Sequence, residues 1–180
     1  RRHGEGNSHL IGKTFDHALY FMAPLSVFAF LVLYFLSTPI LRAVIESNDI
    51  FEASVSFLKY RMPGIFFVFG QILFRSFYIG IAKTKVITWS TLVMAGTNII
   101  LDYGLIFGKL GLPEMGLEGA AIASTIAEFI ALVYLVVYVI LHKHHRQYDL
   151  FRFEPFDKAL FGRNFKLAAP IMVQNFLSLG

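Results

Sequence analysis

Asn98-Ile-Ile-Leu-Asp102 is the sharpest chemical feature of the sequence. A spacing of four puts an amide and a carboxylate on one face of a helix, one turn apart, where they can share a cation or bond each other. The surrounding run is apolar, and a carboxylate in a membrane span costs about 2.5–3.5 kcal/mol at mid-bilayer, so Asp102 belongs on a bundle interior or a wet cavity. The alternative is an acid close enough to the outer surface to be solvated and idle. Glu128 lies about ten residues into an uncharged run, near the midplane of a straight helix. Two readings stand for it: an ion pair with a basic residue of a neighbouring helix such as Arg61, or proton or cation handling. Ser124 and Thr125, one turn earlier, are expected to bond the carbonyl four residues back.

Other clusters carry less chemistry. His142 and His145 are three apart, but no carboxylate completes a ligand set, and a cationic run suits a helix end at the cytoplasmic interface. Phe66, Phe67 and Phe69 are candidates for a pocket that takes aromatic cations. Gly4-Glu5-Gly6 lacks the lysine or third glycine of a phosphate loop, and no Gly-x-Ser-x-Gly, His-Glu-x-x-His or cysteine is present. With no nucleophile, metal or cofactor motif, the expectation is a protein that is not an enzyme.

The elements that must hold these residues follow from composition. The 180 residues are 56% hydrophobic and 16% charged, with a mean hydropathy of +0.62. Soluble domains are about 45–50% apolar and about 25% charged, so this chain reads as a membrane protein. Uncharged stretches of about 20 residues, long enough to cross ~30 Å of hydrocarbon, predict an all-α, polytopic membrane helical bundle. The expected spans are residues 17–41, 51–82, 86–107 and 119–141, forming a bundle over 17–143. Residues 1–16 read as a cytoplasmic loop, 144–164 as a cytoplasmic linker and 165–180 as the start of a further span. The chain opens without Met and stops inside an apolar run, which reads as a fragment.

Charge gives the orientation. Successive connections carry 3, 1, 2, 1 and 6 Lys or Arg, an alternation that places the first, third and fifth in the cytoplasm of a multi-pass protein of the plasma membrane. The same rule accounts for the net charge of +4 without nucleic acid. Lys59, Arg61 and Arg75 interrupt the second span, and Lys59 can snorkel outward. Pro24, Pro63 and Pro170 fall where membrane helices tolerate a kink. The small residues of Gly119-Ala-Ala-Ile-Ala-Ser124 fit close helix packing.

Three stretches together resemble a known family: Arg75-Ser-Phe-Tyr-Ile-Gly-Ile-Ala-Lys-Thr-Lys85, Asn98-x-x-x-Asp102-x-x-x-Ile106-Phe107-Gly108, and Gly116-Leu-Glu-Gly-Ala-Ala-Ile-Ala123. Their order and spacing are similar to the NorM-type branch of the multidrug and toxic compound extrusion (MATE) family. Arg2-His-Gly-Glu-Gly6 resembles that family's loop between helices two and three, and Ala169-Pro-Ile-Met-Val-Gln174 the start of helix seven. The resemblance implies a partial MATE-type fold covering helices three to six and the start of seven. It also implies an antiporter that exports organic cations or drugs in exchange for H⁺ or Na⁺, with no cofactor. The remaining helices and second lobe of the same chain would complete it, with lipid and a small cationic substrate as its partners and the bacterial cytoplasmic membrane as its place. By the same resemblance Asn98 and Asp102 match an N-lobe cation site, with Ser124 the nearest match to a hydroxyl of the sixth helix. The first-helix aspartate of that site falls before Arg1. An acid expected in helix seven is replaced by Ser178, which moves the expected ion site to the N-lobe. Two alternatives are a lipid-linked oligosaccharide flippase of the same superfamily and a non-transporting scaffold subunit, in which Asp102 and Glu128 would both be neutralised by intrachain cations.

Overall fold

The structure is a computed structural model, and it describes residues 8–152 and residue 162. Six helices follow one another: α1 (Ser8–Val44), α2 (Asn48–Arg61), α3 (Gly64–Gly80), α4 (Thr84–Phe107), α5 (Gly116–Leu141) and the single turn α6 (His144–Gln147). Among the described residues there is no strand. Leu10–Val44, Thr84–Phe107 and Gly116–Leu141 are each long and apolar enough to cross a bilayer, while α2 and α3 pass that test only as a pair bent by 47°. The chain is a polytopic membrane helical bundle.

The stretch expected as one span over 51–82 is thus two helices. Pro63 has no N–H for the helical ladder and its ring crowds the carbonyl one turn back. The chain turns there on short bonds, Ile65 N to the Met62 carbonyl at 3.1 Å and Phe66 N to the Pro63 carbonyl at 3.3 Å. The Thr125 hydroxyl of α5 donates to the Tyr60 carbonyl at 3.0 Å, so a neighbouring helix serves the disrupted ladder.

The first helix also differs from its expected bounds. It begins at Ser8 rather than near residue 17, because Ile11 and Phe15 extend its apolar face inward. The Phe15 ring lies 5.4 Å from Phe74 and 5.7 Å from Phe77 on α3. Its 37 residues span about 55 Å, well beyond the ~30 Å hydrocarbon core, so the helix is longer than a single crossing needs.

A tight turn joins α4 to α5. Gly108, at φ +61°, ends α4 in the left-handed conformation, and a Cβ there would lie 2.9 Å from that of Glu114. Lys109 N closes the cap on the Gly104 carbonyl at 3.0 Å, and Met115 N reaches back to the Leu105 carbonyl at 2.7 Å. Beyond the turn α5 presents small residues: Ala121, Ala123, Ala127 and Ala131 are at most 1% exposed. A Cβ on Gly119 would come within 2.6 Å of the Leu105 carbonyl oxygen, so the two backbones touch there. Near the other end Ser90 Oγ donates to the Ala131 carbonyl at 3.3 Å, fixing an antiparallel register.

The part of the expected 144–164 linker that is described is docked. His144, Tyr148 and Leu150 are buried in the same cluster of side chains as Phe15, Phe77 and Tyr78, and Phe151 N donates to Asp16 Oδ1 at 2.9 Å. Aromatic and aliphatic residues dispersed among charged ones give this segment an apolar face. Most of the remaining linker, the expected span over 165–180 and residues 1–7 lie outside the described residues.

Candidate cation site

The α4–α5 register brings two of the four expected site residues, Asn98 and Ser124, into contact, with Asp102 one turn away on the same helix as Asn98. Asn98 Nδ2 donates to Ser124 Oγ at 3.3 Å, which keeps the amide oxygen of Asn98 as an acceptor. Asp102, one turn further along α4, has its Oδ1 buried without a hydrogen-bond partner. A carboxylate oxygen shut away from donors is costly when ionised, and either a proton or a cation relieves it. The available donors are all oxygens, as a hard cation prefers.

Glu128 belongs to a different group. It is 9% exposed, and both its oxygens are taken by Arg61: Nη1 to Oε2 at 2.7 Å and Nη2 to Oε1 at 2.5 Å. Gln71 Nε2 donates to the Glu128 backbone carbonyl at 2.9 Å. Gly64 lies directly beneath, where a Cβ would be 2.3 Å from Arg61 Nη1 and 2.5 Å from Glu128 Oε2. Near the outer end, Ser56 donates to Glu118. Together with the Thr125 bond these contacts fasten the bent α2–α3 pair to α5. The scaffold alternative requires both acids to be neutralised by intrachain cations; Glu128 is paired with Arg61, and among the described residues no Lys or Arg pairs with Asp102.

Several expectations are corrected by this geometry. Thr125 bonds Tyr60 of another helix rather than its own, because the break at Pro63 presents a carbonyl to it. Phe66 packs on Phe30 of α1 at 5.2 Å and Phe67 on Phe129 of α5 at 5.1 Å. Consecutive helical residues point about 100° apart, so these rings serve two different neighbours instead of one pocket. Gln71 and Gly64 were not singled out from sequence. The available signal was a lone amide and a glycine flanking a proline-broken span that carries an arginine.

At the inner end the histidines have a packing role. His144 is 2% exposed, with its Nε2 2.8 Å from Lys83 Nζ and its Nδ1 3.5 Å from the Tyr78 hydroxyl. His142 stacks on Tyr138 at 3.9 Å. Lys83 can only donate, so His144 accepts through a neutral Nε2. Burial first, then the charge of Lys83 and of His142, pushes the His144 pKa down from 6.5 to about 4. Because the folded value lies below the unfolded one, this contact is at full strength above pH 6.5 and weakens as the pH falls from 6.5 towards 4. Protection of residues 144–151 against hydrogen exchange in the full-length protein, taken relative to the intrinsic rate at each pH, is expected to fall over that window. A flat profile between the two pH values would remove His144 as the cause.

Comparison with known proteins gives consistent matches. The MatE family model matches residues 1–104. "Probable multidrug resistance protein NorM" of Bacillus cereus is 30% identical over 135 residues, covering 75% of this chain and 30% of that protein. The protein of the same name from Synechocystis is 30% identical over 149 residues, covering 83% of this chain and 32% of its own length. The Photorhabdus laumondii protein of that name is 43% identical over 76 residues, covering 42% of this chain and 17% of its own. The chain thus spans about a third or less of the length of these curated relatives. No solved structure matches it.

Proposed function

The chain belongs to the MatE family, and on that premise we propose that it forms part of a secondary transporter exporting organic cations or drugs across the cytoplasmic membrane in exchange for Na⁺ or H⁺. The observation that carries this reading is the orphaned Oδ1 of Asp102 beside the Asn98–Ser124 pair. An ion entering there neutralises Asp102 and is held by oxygens from α4 and α5, with further ligands from the rest of the protein. Binding that favours one arrangement of the helices must, by linkage, disfavour a substrate that binds the other arrangement, so uptake of the ion drives release of the drug. Glu128 stands outside this cycle as a fastening of the bundle.

The test is export by the full-length protein carrying Asp102→Asn, a change that keeps size and removes charge. Ion-driven export is expected to fall by about tenfold or more, with normal membrane insertion. Export that keeps both its rate and its ion dependence would overturn the role of Asp102. Serine-to-alanine replacement at 124 should give a smaller loss in the same assay, since it removes one neutral donor group.

A further inference from the structure

Gly119 of α5 meets α4 backbone to backbone. A Cβ on it would lie 2.6 Å from the Leu105 carbonyl oxygen, 2.8 Å from the carbonyl carbon and 3.0 Å from the Leu105 Cβ. That carbonyl is held in place, because it also accepts Met115 N at 2.7 Å across the α4–α5 turn. Further in along the same two helices, Asn98 Nδ2 donates to Ser124 Oγ at 3.3 Å, and Ser90 Oγ to the Ala131 carbonyl at 3.3 Å. The three contacts keep one antiparallel register, and Asp102 falls between the first two of them. It lies three residues before Leu105, about 4.5 Å along the axis, and four after Asn98, about 6 Å. The Gly119 contact is thus the fixed point nearest to the carboxylate whose Oδ1 is buried without a partner. Gly104 provides a contrast at the same turn: its Cβ would meet Leu112 Cδ1 at 2.6 Å, the end of a side chain that can swing aside.

We propose that Gly119 is a positioning residue for the Asp102 site: by letting α4 and α5 touch, it sets how far the Asp102 carboxylate stands from the oxygens of α5, and so how tightly a cation is held between the two helices. The inference rests on the reading of Asp102 as a cation ligand. Asn98 and Asp102 share α4, so their spacing is fixed by the helix whatever the seam does. Ser124 is on α5, and its distance from Asp102 changes directly with the separation of the helices. A methyl group at residue 119 has to move the backbones apart by about 0.8 Å, from 2.6 Å to ordinary contact near 3.4 Å. Ligand groups need to be held within about 0.5 Å of their working geometry, so an opening of this size reaches the site. Close approach of this kind is what small residues at a membrane helix seam permit, and here the seam carries ligands on both sides.

Full-length protein in detergent is melted while NaCl replaces choline chloride at constant ionic strength, and separately across a range of pH, and the half-saturating cation concentration is read from the shift in Tm. The response that Asp102→Asn removes belongs to the site. Gly119→Ala is expected to raise the half-saturating concentration of that cation about tenfold, while Gly104→Ala keeps the wild-type value. Asp102→Glu, whose carboxylate reaches one methylene further, should weaken the site alone and recover most of the affinity when combined with Gly119→Ala. A defect of folding alone would leave those two losses additive. Ala123→Val adds bulk one turn further along the same face of α5, at a residue with no exposed surface, and carries the test where Gly119→Ala does not fold. A folded Gly119→Ala or Ala123→Val that binds the cation as wild type does, with Asp102→Asn still removing the response, would overturn the positioning role and leave the reading of Asp102 standing. An Asp102→Asn protein that responds as wild type does would overturn both.

Discussion

Arg61→Met in the full-length protein is expected to cost about 3 kcal/mol of stability, because it strands the Glu128 carboxylate inside the bundle. Glu128→Gln should cost less. The arginine side chain is 32% exposed and the glutamate 11%, so an orphaned Arg61 has water within reach and an orphaned Glu128 has little. Combining Arg61→Met with Glu128→Leu is expected to recover most of the loss, since an apolar pair of similar volume owes no desolvation penalty. Gly64→Ala should reproduce part of the effect without touching either charge, by forcing the 2.3 Å and 2.5 Å approaches at its Cβ to open. Thermal melting of these variants in detergent, with Glu128→Leu alone added to close the cycle, gives the coupling from the double variant and its two singles. Strictly additive losses, or an Arg61→Met protein that melts with wild type, would show that the pair is solvated and idle.

That pair also marks the boundary of what the sequence could show. Both partners could be named from residue types alone, since a mid-span acid needs a cation and Arg61 is one of few available. Which of two roles Glu128 plays depends on a distance, and the distance depends on how far α2 leans towards α5. Pro63 signals a kink, yet the 47° bend is held by the contacts Thr125–Tyr60, Gln71–Glu128 and Arg61–Glu128, whose partners are up to 67 residues apart in sequence. The Asn98–Asp102 face was legible because helical spacing is local, and the Gly119 seam because small residues have a single use there. The docked segment at 142–152 was obscured by its charge. Its buried residues, His144, Tyr148 and Leu150, are spaced irregularly because the backbone reverses at Lys143, Asp149 and Phe151, each at positive φ, and no periodicity survives such a path.

The same path makes Gly12→Ala the most disruptive single methyl group to add at the inner end. A Cβ at Gly12 would lie 1.9 Å from the Tyr148 carbonyl oxygen and 2.7 Å from that of Asp149. Both obstacles are backbone, so no side chain can swing aside. The strap cannot simply slide either, for its left-handed residues Lys143, Asp149 and Phe151 at φ of 53°, 52° and 61° each cost roughly 1–3 kcal/mol and are held only by the surrounding contacts. Overpacking of this kind costs about 1–3 kcal/mol, enough to raise local opening roughly tenfold. Opening releases Tyr148 and Leu150 from the core and Phe151 N from Asp16, exposing the backbone between Arg146 and Arg152. Limited trypsin digestion of the full-length protein should therefore cut after Arg146 or Arg152 about tenfold faster in Gly12→Ala than in wild type. Gly96→Ala, mid-helix in α4 with open space around its Cβ, should digest as wild type does. Equal cleavage of Gly12→Ala and Gly96→Ala would mean that the strap does not close on α1 in the assembled protein.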